Sequence, residues 1–175
     1  MSNLIEENGV KVEFPDANYF QFGTCPAYLR IKGKGVKETD VCWFDIASDT
    51  LWLIELKAFD NPLNPKFLPQ DLSISTTVDH WLNELKDKSI HAVSMVLTNR
   101  SGTQSCLPFL HPNINTTIKI VHLVKVLPNQ DTYLNPMQDK LRQNLKAYQA
   151  IFNIDSIMII SYDFAIKNSL ISWIV

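Results

Sequence analysis

Residues 41–59 constrain the fold more than any other stretch. Two apolar runs, 41–46 and 51–59, flank Ala47-Ser-Asp-Thr50, a cluster of small polar turn formers, and the pattern reads as a β-hairpin. In the second run Trp52, Ile54 and Leu56 share one face, and Leu53, Glu55 and Lys57 share the other. The partner run Val41-Cys-Trp-Phe44 is apolar on both faces, which places the hairpin in the middle of a sheet rather than at a wet edge. Charges in such a place are costly unless they are paired or coordinate something.

A tight two-residue turn at Ser48-Asp49 sets Lys57 opposite Asp40 and Glu55 opposite Cys42. Asp40, Glu55 and Lys57 then share one face at the end of the hairpin away from the turn. Two carboxylates and a lysine converging there could hold a divalent metal and steady a water beside it. Asp45 is the second choice of acid. It points to the opposite face in this register, and a turn one residue longer would reverse that, because side chains alternate with period two. Asp49 reads as a turn residue.

An Asp followed fifteen residues later by Glu-x-Lys resembles the PD-(D/E)xK, or restriction-endonuclease-like, nuclease superfamily. The resemblance rests on Asp40, Glu55, Lys57 and the order of elements around them, over roughly residues 30–100. It implies an α/β fold with a mixed β-sheet flanked by helices, and a metal-dependent endonuclease acting on DNA. Asp40, Glu55 and the carbonyl of Leu56 would bind Mg²⁺ or Mn²⁺, and Lys57 would assist the attacking water. In the family a preceding helix often adds another acidic ligand, for which Glu6, Glu7 and Glu13 are the candidates. Two readings compete: a binding or assembly module of the same fold that no longer cuts, and an RNA-cleaving relative. Some DNA-processing members carry Gln-x-x-x-Tyr after the motif. Here Gln143 is followed four residues later by Ala147, so the iron–sulfur branch is not implied.

The remainder of the chain fits one globular domain spanning 1–175. Hydrophobic residues make up 46% and charged residues 19%, the balance of a compact soluble protein. No apolar run is long enough to span a bilayer, no secretory signal is visible, and three widely spaced cysteines suit a reducing cytoplasm. A net charge of −2 excludes a generic polyanion binder, so a nuclease of this kind needs local basic patches. Arg30, Lys32, Lys34 and Lys37, interleaved with Gly33 and Gly35, form such a patch just before Asp40 and are candidate phosphate contacts. Cutting both strands of a duplex makes a homodimer a reasonable partner arrangement. The histidines at 80, 91, 111 and 122 lack metal-ligand spacing and read as structural or solvent-exposed.

In order, residues 2–7 read as a short helix ended by Asn8-Gly9, 10–14 as a strand, 16–23 as a second short helix and 28–31 as a strand. Residues 60–69 hold three prolines and read as a loop. An amphipathic helix is expected over 70–88, with Ile74, Val78, Trp81, Leu82 and Leu85 on its apolar face and Lys86 and Lys88 closing its last turn. A buried strand over 91–98, a loop over 99–115 and a strand over 118–127 follow. A helix opened by Asn135 as cap and Pro136 comes next, then strands over 157–162 and 170–175.

Overall fold

The computed structural model describes residues 3–59, 74–100, 115–127 and 130–175. The expected loops over 60–69 and most of 99–115, and the start of the expected 70–88 helix, lie outside these residues. The fold is mixed α/β, a five-stranded mixed sheet flanked by helices. Strands β3 (Tyr19–Gln21), β4 (Val41–Asp45), β5 (Thr50–Ala58), β6 (Thr117–Lys125) and β7 (Ile154–Ser161) lie in that order. The β3–β4 and β4–β5 pairs are antiparallel, and β5–β6 and β6–β7 are parallel. Parallel neighbours need crossovers: α2 (Ile74–Arg100) lies between β5 and β6 in sequence, and α3 (Leu134–Phe152) between β6 and β7.

Both long helices cover one face of the sheet. Leu51, Leu53, Ile118 and Ile120 pack there against Trp81, Leu82, Leu85, Leu141 and Leu145. The other face is covered by a hairpin of β1 (Leu4–Glu7) and β2 (Val10–Glu13), by α4 (Tyr162–Lys167) and by the C-terminal segment. There Val10, Val12 and Phe14 pack with Trp43, Ile54, Leu56, Val121, Tyr162 and Trp173. With both faces covered, β5 is buried from Leu53 to Leu56, Glu55 included.

Several elements depart from the sequence reading, each for a local reason. Residues 91–98 are the second half of α2, not a strand. Leu85, Ser89, Ala92, Val93 and Val96 are buried at helical spacing, and Ser94 Oγ donates to the Ile90 carbonyl one turn back. A short apolar run carries no period that separates strand from buried helix, and the strand that follows the helix is β6. Residues 28–31 belong to α1 (Pro26–Ile31), which a proline opens in its first turn. Residues 4–7 are strand, because Asn8 (φ 55°) and Gly9 (φ 75°) form a hairpin turn rather than a helix end. Residues 19–21 are strand followed by a single 3₁₀ turn, and Asp16 instead accepts hydrogen bonds from Asn18 N and Trp43 Nε1. Helix α3 begins one residue before Asn135, which therefore is not its cap. Among the described residues the C-terminus forms only a bridge from Ile174 to Val12 rather than a strand.

Candidate active site

The β4–β5 register differs from the two-residue turn in a way that matters for the site. Asp45 pairs with Thr50, so the loop holds the four residues 46–49, and Val41 pairs with Ile54. Continuing that register by one residue brings Asp40 alongside Glu55 instead of Lys57. The offset is even, so Asp40, Glu55 and Lys57 keep the same face. Asp45 faces the other way and closes the loop, accepting from the Ala47 and Ser48 amides and from Ser48 Oγ. It takes no part in the cluster around Glu55. Asp49 (φ 46°) is a turn residue whose carboxylate accepts from Thr116 Oγ1.

Asp40 stands just outside β4, and its Oδ2 accepts the Leu56 N–H at 2.6 Å. Glu55 is 1% exposed, and its Oε1 lies 2.6 Å from Lys88 Nζ on α2. Lys57 Nζ meets Glu84 Oε1 at 3.3 Å. The strand's Glu-x-Lys is thus answered by Glu84 and Lys88 one helical turn apart on α2, in two ion pairs. Of the three N-terminal acids, Glu7 alone joins the cluster. Asn8 Nδ2 donates to the Leu56 carbonyl at 3.1 Å, which anchors the hairpin tip over β5 and brings Glu7 within electrostatic reach of Asp40, Lys88 and Lys57. Glu6 pairs with Lys11 on the hairpin's outer surface, and Glu13 is exposed.

The cluster holds more carboxyls than ammoniums. Burial first, then the neighbouring Asp40, raises the Glu55 carboxyl to about 8, although Lys88 and Lys57 act to lower it. Burial also raises Asp40, against the Leu56 hydrogen bond and the two lysines, and raises Glu7, with Asp40 adding to the effect. Burial opposes ionisation of Glu84 as well, but Lys57, Lys88 and Lys37 together outweigh it and the net shift is downward. Burial disfavours the Lys88 ammonium, yet Glu55, Asp40 and Glu84 together outweigh that and the net shift is upward. The carboxyls of Glu7, Glu38, Asp40, Glu55 and Glu84 thus outnumber the ammoniums that act on them, Lys37, Lys57 and Lys88.

Beneath Glu55 lies His122, its register partner on β6 and fully buried. Its ring is held well towards the neutral form, at about 3, by burial and then by Lys88. Ser89 Oγ donates to the Leu85 carbonyl and lies 3.1 Å from His122 Nε2. The serine proton is thereby committed, so Nε2 carries the imidazole hydrogen and Nδ1 is left as a lone pair. Both His122 Nδ1 and Glu55 Oε2 are buried without a hydrogen-bond partner among the described residues.

Among the described residues no three His, Cys, Asp or Glu side chains gather closely enough to enclose an ion by themselves. Mg²⁺ asks less than that, binding through one or two carboxylates and keeping several waters. The uncommitted Glu55 Oε2, the second oxygen of Asp40 and the remaining lone pair of the Leu56 carbonyl are hard oxygen donors that fit it.

Of the basic segment, Arg30 lies in the last turn of α1, and it, Lys32 and Lys34 are exposed. Lys37 pairs with Asp87 at 3.1 Å, and its amide donates to His91 Nδ1. Lys88, read from sequence as a helix-end lysine, sits mid-helix. The signal for it was present, since it falls where the next apolar residue of the Trp81–Leu85 stripe belongs. A cleft of about 490 Å³ lined by Gln138, Arg142, Ile160 and Phe164 contains none of these side chains. Among the described residues no helix is long and apolar enough to cross a membrane. Compared with known proteins, the chain matches no family model, no curated protein and no solved structure.

Proposed function

We propose that the protein is a divalent-metal-dependent phosphodiester hydrolase of restriction-endonuclease-like fold, an endonuclease acting on DNA. The observation that carries the reading is the convergence of a half-buried Asp40 and a buried Glu55 on one face of the sheet, among more carboxyls than ammoniums. Buried acids of this kind are the exception in proteins and concentrate at functional sites. Asp40, Glu55 and the Leu56 carbonyl would hold Mg²⁺ or Mn²⁺. When bound, the ion supplies Lewis acidity at the phosphoryl group and a more acidic water. Lys57 orients the attacking water, drawing on an ammonium that is 28% exposed and held by Glu84. Arg30, Lys32, Lys34 and Lys37 contact the backbone and offset the chain's net negative charge where the nucleic acid approaches. A homodimer would supply the second site needed to cut both strands.

The test is incubation of purified protein with supercoiled plasmid and Mg²⁺ or Mn²⁺, with and without chelator. Chelator-sensitive nicking that disappears in Asp40→Asn and Glu55→Gln supports the reading. Cleavage of RNA alone would move the substrate class. Intact DNA and RNA under both metals would leave a nuclease-like binding module, in which the paired charges serve structure.

A further inference from the structure

We infer that Lys88 is the resident counter-ion of Glu55 and that a divalent cation competes with it for that carboxylate, so that Lys88 sets the cation affinity of the site. The inference rests on the proposed reading of Asp40 and Glu55 as cation ligands, but not on cleavage.

The geometry divides the two lysines of the cluster into different roles. Lys57 is drawn off to Glu84, whereas Lys88 lies 2.6 Å from Glu55, the most buried acid of the group. One oxygen of Glu55 is committed to Lys88, and the other is buried with no partner among the described residues. Asp40 likewise has one oxygen committed, to the Leu56 amide. A cation entering between these carboxylates therefore meets an ammonium already in contact with one of them. Like charges at such separations repel strongly where water is scarce. Lys88 has a place to go: its side chain is 15% exposed, and Glu84, one helical turn earlier on α2, already attracts it. The ammonium also favours ionisation of this deeply buried carboxyl before any cation arrives, since an unpaired buried charge is the costly state.

The probe is Mn²⁺ itself, titrated into the purified full-length chain and followed by the electron paramagnetic resonance signal of the free ion. Lys88→Met should bind Mn²⁺ at least about tenfold tighter than wild type. Lys88→Arg, which keeps the charge, should stay near wild type. Equal or weaker binding by Lys88→Met overturns the inference. Should that variant fail to fold, the wild type decides through acetylation of Lys88 by a limiting acylating reagent, read by mass spectrometry. Labelling that rises severalfold at saturating Mn²⁺ supports exchange, and unchanged labelling overturns it. A wild type that binds no Mn²⁺ sinks this inference together with the cation site. Mn²⁺ binding with tightening in Lys88→Met, but no cleavage of any nucleic acid, leaves this inference standing and removes only the hydrolase.

Discussion

Asp40 lies one residue outside β4, yet its carboxylate accepts the Leu56 amide hydrogen at 2.6 Å and so is tied to β5 beside Glu55. One side chain thus closes the open end of the β4–β5 pair and supplies the first acid of the site. The two duties separate on substitution. Asp40→Asn keeps an acceptor for Leu56 and should retain stability while losing chelator-sensitive cleavage. Asp40→Ala loses both and should cost about 1–3 kcal/mol, since a buried amide is left without a partner. Urea unfolding beside a plasmid nicking assay reads the difference. Equal stability of the two variants would dissociate Asp40 from the strand pair.

The hairpin tip is a second structural dependency of the site. Asn8 adopts φ 55° and donates to the Leu56 carbonyl, and this fixes where Glu7 stands relative to Asp40. Asn8→Ala should destabilise by about 2 kcal/mol, from left-handed strain and the lost hydrogen bond. Asn8→Gly keeps the turn and should recover most of that stability but not the anchor. In thermal melts the glycine variant should therefore lie between the alanine variant and the wild type.

The hairpin core and its acids were legible in the sequence because period-two alternation survives an error in turn length, provided the error is even. The loop is two residues longer than a tight turn, and Asp40 still shares a face with Glu55 and Lys57. The extent of α2 was not legible, because Ala92-Val-Ser-Met-Val-Leu97 is apolar at every spacing that matters and only packing against the sheet decides it. That error hid Lys88, which looks like a terminal lysine if the helix stops there and a core lysine if it continues. Glu7 could not be separated from Glu6 and Glu13, because which face of β1–β2 meets the sheet depends on a turn that also reads as a helix end.

His122 should impose an acid-side loss of stability. Its folded value, about 3, lies below the ordinary 6.5, so between these the unfolded chain takes up a proton that the native state refuses. Stability from this residue is present above about pH 6.5 and is lost as pH falls towards 3. Glu55 works in the opposite sense. Raised to about 8, it favours the fold at low pH and loses that contribution as pH rises through the folded value. His122→Leu leaves Ser89 bonded to Leu85 and removes the orphan Nδ1. Urea midpoints measured between pH 4.5 and 6.5 should then have a slope against pH lower than that of wild type by up to one proton, with stability falling as pH rises because the Glu55 contribution is no longer offset. An unchanged slope would mean the imidazole protonates normally in the fold.

At the far edge of the sheet, β7 should not be available for strand addition. Among the described residues it borders β6 on one side only, and outward backbone groups are taken by side chains of α3. Gln138 Oε1 accepts from Ile159 N at 2.9 Å, Arg142 Nε donates to the Ile157 carbonyl at 2.8 Å, and Gln149 Nε2 reaches the Asp155 carbonyl at 3.4 Å. Residues 155, 157 and 159 alternate along the strand, so the plugs fall on the row that a pairing strand would need. Exposed edges of this length invite association unless they are blocked. Gln138→Ala combined with Arg142→Ala should unblock two of the three positions at little cost to the core, because both side chains lie on the helix flank rather than among its buried Leu141 and Leu145. Light scattering across a concentration series should find the double variant associating at concentrations where the wild type does not grow, with an accompanying rise in thioflavin fluorescence. Identical scattering curves would mean that the edge is protected by something other than these hydrogen bonds.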